Sequence, residues 1–197
     1  MQQQAPTAGG KRSGPATRER ILQAANELFY AEGIRGSSAD RIIAQVGITK
    51  VTFYRHFPTK SDLVVAYLQQ QGAAERAWFE SLHTPGDAEG SLRAIAAGIG
   101  TASCSPGFRG CAFINAAAEF SDPADPVRAV VEEHRQWMLD EFAAIAAKAD
   151  VADPEATARQ LMILRDGAMV NGYLGEPTSV ATSLTAAFDS VLAAARA

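Results

Sequence analysis

Polar and cationic side chains are concentrated in the short segment from Lys50 to Phe57. Its two large apolar side chains, Phe53 and Phe57, would share one side of a helix. At about 100° per residue, the remaining side chains point away from that side. These outward side chains are Val51, Thr52, Tyr54 and Arg55, with Lys50 and His56 on the flanks. Hydrogen-bonding, cationic and methyl-bearing groups on one side of a short helix are what reading base edges in a major groove requires.

A preceding helix and a tight turn must hold this segment in place. Ser38 is a good N-cap, because its hydroxyl can accept a hydrogen bond from a free N–H of the first turn. The buried side of that helix comes from Ile42, Ile43 and Val46. Gly47 can adopt the left-handed backbone that ends a helix, and Thr49 can cap the next one. The pattern predicts a helix-turn-helix, and the alternative is a helical hairpin with an exposed basic end.

The chain resembles the TetR family of bacterial transcriptional regulators in three segments, which read RERILQAANELFYAEGI, VGITK and TFYRHFPTKSDL. The resemblance is specific from Arg18 to Leu68 and only architectural beyond. From the family's pattern, Thr52, Tyr54, His56 and Lys60 carry over as DNA contacts, with Lys50 and Arg55 at its variable specificity positions. All candidate DNA-binding residues together are Ser38, Thr49, Lys50, Val51, Thr52, Tyr54, Arg55, His56 and Lys60.

The resemblance implies an all-helical homodimer with an N-terminal DNA-binding domain and a C-terminal domain that binds a small effector. The expected function is that of a repressor that binds a palindromic operator in double-stranded DNA and is released when an unidentified small molecule binds. The competing class is an enzyme or small-molecule carrier on an all-helical scaffold, with the basic N-terminal region incidental.

Charge is unevenly distributed along the chain. The total is −4, but residues 1–60 hold nine Lys or Arg against four Asp or Glu, a net charge of +5. Residues 61–197 must therefore carry −9. A basic head on an acidic body is the asymmetry expected when only one end meets phosphate.

The expected compartment is the cytoplasm, with no membrane partner. The sequence shows no apolar run judged long enough to span a membrane, and its N-terminus lacks the hydrophobic core of a signal peptide. Cys104 and Cys111 are therefore expected to be reduced thiols that are buried in the core.

Three regions are predicted along the chain: a disordered tail over residues 1–16, a helix-turn-helix domain over 17–60, and an effector-binding and dimerisation domain over 61–197. The tail carries Lys11 and Arg12, so the alternative to a solvated tail is a basic arm that touches DNA. The first helix is expected from Thr17, as its cap, to Glu32.

Helices alone are predicted for the rest of the chain, which gives an all-α fold of nine helices. A long helix from Lys60 to about Leu82 should enter both domains. If it pivots, the spacing between two DNA-reading helices changes; the alternative is a rigid linker helix. The later helices are predicted at Ser91 to about Ser103, Cys111 to Phe120, Pro126 to about Ala149, Pro154 to about Leu174, and Ser179 to Ala195.

The last two helices carry apolar stripes at helical spacing. In a monomer these stripes would be core, but the resemblance to a family that dimerises through a four-helix bundle favours an interface. The predicted interface residues are Leu161, Arg165, Ala168, Tyr173, Val180, Leu184, Ala187, Phe188 and Val191.

No pattern typical of catalysis is present, so neither an enzyme nor a cofactor is expected. Cys104, Cys111 and His134 match no standard zinc spacing and supply at most three ligands, so no metal site is expected. An apolar effector pocket with a few polar groups is the better use of this region, although core packing is the alternative for each residue. Its candidate residues are Trp78, Phe79, Phe108, Cys111, Phe113, Asn115, Phe120, Trp137, Met162, Arg165, Met169 and Asn171.

Overall fold

The computed structural model describes residues 14–196, and within that range the chain forms nine α-helices and no strand. The helices are α1 (Gly14–Glu32), α2 (Ala39–Val46), α3 (Lys50–His56), α4 (Lys60–Leu82), α5 (Ala88–Ser103), α6 (Ala112–Glu119), α7 (Pro126–Ala147), α8 (Pro154–Leu174) and α9 (Pro177–Ala195). The predicted all-α class is confirmed. The proposed basic arm with Lys11 and Arg12 lies outside the described residues.

Side-chain caps fix the starts of the first helices. Ser38 caps α2 and Thr49 caps α3, each by accepting a hydrogen bond from a backbone N–H three residues further on. Thr59 and Asp62 form a reciprocal capping box at the start of α4. Gly47 ends α2 with a φ of 70°, where a side chain would be strained. The predicted caps and turn of the helix-turn-helix are therefore confirmed.

Proline opens the last three helices. Pro126 and Pro154 begin α7 and α8 as predicted, since the first helical residue needs no N–H donor. The last helix was expected to begin at Ser179. Pro177 instead begins α9, for the same physical reason.

Two other helices begin before their predicted first residues. The carboxylate of Asp87 accepts a hydrogen bond of 2.7 Å from Gly90 N, so α5 starts ahead of Ser91, which is buried. Thr17 was expected to cap α1, but it lies buried inside that helix. The remaining predicted helix ends agree with the structure within two residues.

One continuous apolar core runs through the molecule. In the N-terminal part, α1 to α3 and the first half of α4 bury Ile21, Phe29, Ile42, Phe53, Phe57, Leu63 and Tyr67. Further along α4, Phe79 packs edge-on against Trp137 and Phe142 of α7, with ring centroids 5.3 and 5.9 Å apart. Helix α4 thus contributes to both halves, and the division of domains at residues 60 and 61 stays a prediction.

Among the described residues, α9 alone is long and apolar enough, by length and composition, to cross a membrane. This corrects the expectation that no run has that length. One such helix is weak evidence for a membrane span, because a helix that packs in a protein core passes the same test. Here Val180, Leu184, Phe188 and Leu192 are buried in the core, and a Cβ on Gly100 of α5 would overlap Ala181 of α9.

Candidate nucleic-acid interface and effector cavity

Helix α3 presents one buried and one open side. Phe53 and Phe57 are buried, and their ring centroids lie 6.4 Å apart. Val51 is 79% exposed and Tyr54 is 46% exposed, and Arg55 is exposed as well. The structure therefore places the outward side chains as the helical wheel predicts. It does not test their contacts with DNA.

The cations around α3 differ in their present partners. Lys50 Nζ lies 2.9 Å from a carboxylate oxygen of Asp40, and the hydrogen bond between them raises the pKa of Lys50. A base contact by Lys50 would have to break this exposed ion pair. Lys60 is half-buried with its ammonium 6.0 Å from the centre of the Phe29 ring, and burial lowers its pKa. Arg55 is the exposed cation of α3 for which the structure gives no ion pair among the described residues.

The hydroxyls at the two ends of the turn serve the fold. Ser38 Oγ accepts from Arg41 N at 3.2 Å, and Thr49 Oγ1 accepts from Thr52 N at 3.2 Å. The hydroxyls of Thr49 and Thr52 also lie 3.0 Å apart. Ser38 and Thr49 are nevertheless exposed, so a phosphate contact is compatible with capping.

Three hydrogen bonds tie the end of α1 to the loop before α6. Tyr30 donates its hydroxyl to Gly110 O at 3.1 Å and accepts from Arg109 N at 3.0 Å. Arg109 also donates through Nη1 to Ala31 O at 2.9 Å. The DNA-reading part and the body of the protein are thus hydrogen-bonded at this loop.

Two further hydrogen bonds lie at the other end of α6. Both carboxylate oxygens of Glu119 accept backbone hydrogen bonds from the α1–α2 turn, from Ile34 N at 2.8 Å and from Arg35 N at 2.6 Å. A carboxylate that accepts from two adjacent N–H groups is held in direction as well as distance. We refer to Tyr30, Arg109 and Glu119 as the interdomain clamp.

A cavity of about 520 Å³ lies behind this clamp, between α1, α4, α5, α8 and the start of α6. It brings together six of the twelve predicted effector residues, which are Trp78, Phe108, Cys111, Phe113, Arg165 and Met169. Its volume is within the range of about 300 to 1,000 Å³ that is typical of small-molecule sites.

The other six predicted pocket residues do not line this cavity, and their part in an effector pocket stays a prediction. Asn115 and Asn171, proposed as orienting amides, are exposed and donate to backbone carbonyls near them in the chain. Apolar packing elsewhere explains Phe79, Phe120, Trp137 and Met162.

A charge network with a buried arginine, Arg165, borders the cavity. Glu75 Oε1 accepts from Arg165 Nη2 at 2.8 Å, and Glu75 Oε2 lies 3.0 Å from His134 Nε2 without the alignment of a hydrogen bond. Arg165 Nη1 also donates to Asp166 at 3.1 Å, and Asp166 pairs with Arg135 at 2.8 Å. The network joins α4, α7 and α8, so it connects the helix that enters the DNA-reading part to the body.

The network shifts the pKa of two of its members, Glu75 and Arg165. Burial alone would raise the pKa of Glu75, but His134 and Arg165 outweigh it and hold that pKa below its ordinary value. Burial would likewise lower the pKa of Arg165, but the ionised forms of Cys111 and Glu75 beside it raise that pKa above its ordinary value. The Phe113 ring stacks on His134 with centroids 3.6 Å apart.

Sequence reasoning missed the polar side of the cavity, which is formed by Asn26, Tyr30, Gln71 and Glu75. For Glu75 a signal was available. It is a carboxylate at helical spacing from the buried Leu68, Gly72 and Phe79, so an acid on the buried side of α4 required a partner. No comparable signal marks Asn26 or Tyr30, because their role depends on how α1 meets the body.

Most of the predicted interface residues are buried inside the single chain. Leu161, Arg165, Ala168, Val180, Leu184 and Phe188 are buried, whereas Ala187 and Val191 are half-buried and Tyr173 is exposed. The buried ones pack in the core of the protomer, which favours the alternative that these stripes are core, and their place in a dimer interface stays a prediction. The apolar periodicity was real, but it marked the side of each helix that packs inward.

A different stripe on α8 is exposed. Ile163 is 71% and Leu174 is 74% exposed, and Gly167 and Val170 lie between them at positions i+4 and i+7 of the same helical side. A Cβ on Gly167 would meet no atom within 4 Å, so the chain's own packing does not require glycine there. The adjoining groove with α9 is lined by Ser179, Ser183 and Ala187. We call Ile163, Gly167, Val170 and Leu174 the α8 stripe.

The two cysteines occupy different environments. Cys111 is buried beside Arg165, whereas Cys104 is exposed, which corrects the expectation that both are buried. Within residues 14–196 no three His, Cys, Asp or Glu side chains are grouped so that they could hold a metal ion.

Comparison with known proteins agrees with this geometry. The sequence profile described as "Bacterial regulatory proteins, tetR family" matches residues 21–67. An HTH-type transcriptional regulator of Staphylococcus aureus strain USA300 is 38% identical over 60 residues, which is 30% of this chain. That match spans only 32% of the length of the staphylococcal protein.

Solved structures extend the likeness to the whole chain. A TetR-family transcriptional regulator from Streptomyces coelicolor is 42% identical, with a TM-score of 0.88, over 93% of this chain and 97% of that one. A TetR transcriptional regulator from Streptomyces avermitilis is 25% identical, with a TM-score of 0.77, over 89% of this chain and 97% of that one.

The helix-turn-helix and the helical body define the class of DNA-binding transcriptional regulators. The chain belongs to the TetR family of bacterial regulators. These relatives are named regulators and not enzymes, so they do not support the competing class of an enzyme or carrier.

Proposed function

We propose that the protein is a cytoplasmic repressor that binds a near-palindromic DNA operator as a homodimer and is released by a small effector. The observation that carries the proposal is α3, whose exposed side presents Val51, Thr52, Tyr54 and Arg55 from a capped and buried support. In this proposal Arg55 reads base edges, since a guanidinium can bind the O6 and N7 atoms of guanine together. Tyr54 and Lys60 bind phosphates.

Dimerisation is proposed through the α8 stripe. Ile163, Val170 and Leu174 lie at i, i+7 and i+11 of one helix and expose apolar side chains. Exposure of a contiguous apolar surface to water is unfavourable, and such a surface often marks a protein–protein interface. The glycine in their midst leaves room for a partner helix to approach closely. A second copy of the chain offers the same stripe, so a two-fold axis near Gly167 would pair like with like.

Coupling between the effector and DNA is proposed through the interdomain clamp and α4. A ligand in the cavity would contact residues of both α1 and α8, because Asn26 and Arg165 line the same space. If the ligand fits best when α4 and the clamp take a second arrangement, its binding shifts the population toward that arrangement. The two α3 helices would then no longer match successive major grooves.

The test is selection of binding sites from random DNA duplexes with the full-length protein. We expect an inverted repeat whose half-sites lie about one helical turn apart, roughly 34 to 36 Å, or a longer paired site if two dimers bind. The Arg55→Ala variant should lose preference at specific base pairs of each half-site. The matched control is Lys148→Ala, which removes an exposed cation from the end of α7 and should leave the selected site unchanged. Enrichment of no common site by the native protein would overturn the proposal.

A further inference from the structure

The cavity holds one carboxylate and one guanidinium, and these two charges already satisfy each other. Glu75 Oε1 and Arg165 Nη2 lie 2.8 Å apart, and no other Asp, Glu, Lys, Arg or His of the described residues lines the cavity. An ionic ligand would enter without a free counter-charge. A carboxylate that took Arg165 for itself would leave the half-buried Glu75 with a weakened partner set, which is disfavoured.

The guanidinium of Arg165, a side chain that lines the cavity beside Cys111, has one nitrogen atom that is closed to solvent and lacks a hydrogen-bond partner among the described residues. Arg165 is 3% exposed; its Nη1 donates to Asp166 and its Nη2 to Glu75. Its Nε has no hydrogen-bond partner among the described residues. A buried N–H without an acceptor is unfavourable, so an oxygen atom that reaches this group would gain a charge-assisted hydrogen bond.

The cavity walls favour an aromatic ligand. Trp78, Phe108 and Phe113 contribute ring surface and Met169 a polarisable thioether. A Cβ on Gly98 would overlap the Trp78 ring, so glycine at this position is what allows the indole to approach α5 this closely. Asn26 and Gln71 also line the cavity.

We infer that the cavity binds an uncharged aromatic molecule that carries a carbonyl oxygen, and that this oxygen accepts a hydrogen bond from Arg165 Nε. The inference rests on the proposed function in taking this cavity as the effector site. It goes further in assigning the chemical class of the ligand and the residue that selects it.

Three matched probes test the charge and acceptor requirements. Benzophenone has two aromatic rings and a carbonyl, diphenylmethane lacks the carbonyl, and 4-benzoylbenzoate adds a carboxylate. Titration calorimetry of the full-length protein without DNA should show that benzophenone binds about tenfold or more tightly than either of the others. Equal binding of all three, stronger binding of the carboxylate, or no binding of benzophenone up to its solubility limit would overturn the inference.

A pair of variants assigns the hydrogen bond. Arg165→Lys keeps a cation near Glu75 but removes the Nε donor, so the preference for benzophenone over diphenylmethane should fall to about twofold or less. Arg135→Lys makes the same change on an arginine of the network that does not line the cavity, and should keep the preference. An unchanged preference in Arg165→Lys contradicts the assignment. If that variant does not fold, the ranking of the three probes on the native protein still decides.

The outcome is separable from that of the proposed function. The calorimetry contains no DNA, so failure of the probes leaves site selection by α3 standing. Failure of site selection would in turn leave a measured ligand preference intact.

Discussion

A negative charge at Ile163 should separate the two protomers and leave each protomer folded. Ile163 is 71% exposed in the single chain, so Ile163→Glu removes little packing from the protomer itself. A substitution at such a surface position changes the free energy of unfolding of a protomer by about 0.5 kcal/mol or less. In the proposed dimer, the same side chain lies in the α8 stripe and is buried twice, once in each copy.

The magnitude follows from this double burial. Fully burying an isoleucine side chain stabilises by about 1.5 to 3 kcal/mol, so two copies contribute about 3 to 6 kcal/mol to the dimer. The two introduced carboxylates would add a desolvation cost at a site with no cation nearby in the stripe. Since about 1.4 kcal/mol corresponds to a tenfold change, the dimer dissociation constant should rise at least a hundredfold or so.

Leu184→Glu is the informative contrast. Leu184 is 4% exposed and packs inside the protomer, so its replacement leaves a cavity and a buried charge together. We expect a loss of more than about 4 kcal/mol in the free energy of unfolding and a failure to fold well. Ala144→Glu, on the exposed polar side of α7, introduces the same charge away from both regions and serves as the control.

Sedimentation velocity, far-ultraviolet circular dichroism and binding to the selected duplex give the three readouts. At about 25 °C, the Ile163→Glu protein should sediment as a monomer, keep a helical circular dichroism spectrum and lose specific DNA binding. The Ala144→Glu protein should behave as the native dimer. A dimeric Ile163→Glu protein with native DNA affinity would refute the stripe as the interface. A folded, monomeric Leu184→Glu protein would instead restore the interface that the sequence suggested.

Three further predictions concern DNA contact, coupling and pH. Lys60→Ala should weaken binding to all duplexes alike and reduce the slope of log affinity against log salt by about one, whereas Arg55→Ala should cost about 1 to 3 kcal/mol only at the selected site; a uniform loss for Arg55→Ala would contradict base reading. Glu119→Gln places an amide where a carboxylate accepts hydrogen bonds from two backbone N–H groups, so it should weaken the interdomain clamp by about 1.5 to 3 kcal/mol. The effect of an effector on DNA affinity, measured by fluorescence anisotropy titration, should then be smaller than in the native protein. An undiminished effect would argue against the clamp. Because the folded-state pKa of Glu75 is lowered, its stabilising effect is present above the ordinary value of 4.5 and is lost as pH falls through the folded-state pKa. Urea unfolding should therefore show a Glu75→Gln deficit at about pH 7 that shrinks toward about pH 3, and a constant deficit would show that the carboxylate's charge is not what stabilises.

Most of the helix boundaries could be predicted from residues that act locally. The caps at Ser38 and Thr49, the left-handed Gly47 and the opening prolines each act within a few residues, so the sequence states them directly. The same holds for α3, where a spacing of four between Phe53 and Phe57 determines which side chains face outward.

The sequence could not show which helix packs against the apolar side of each other helix. The period of α9 correctly grouped Leu184 with Phe188, but a period does not distinguish a partner in the same chain from one in a second chain. The exposed side of α8 carries fewer apolar residues, with Ile163 and Leu174 interrupted by a glycine, and was therefore overlooked.

The cavity was half predicted for a related reason. Aromatic residues such as Trp78 and Phe113 are recognisable by type, whereas Glu75 and Arg165 meet across 90 positions of sequence and are paired only by the fold. Tyr30 joins the cavity from α1, because the loop at Gly110 folds back onto the DNA-reading part.

The most direct test of the central claim is the affinity of the full-length protein for its selected duplex and for a scrambled duplex of equal length, measured over a series of salt concentrations. The account predicts that the selected duplex binds at least about a thousandfold more tightly near physiological salt, and that both affinities fall steeply as salt rises. Equal affinities for the two duplexes at every salt concentration would mean that α3 does not read sequence, and would contradict the account.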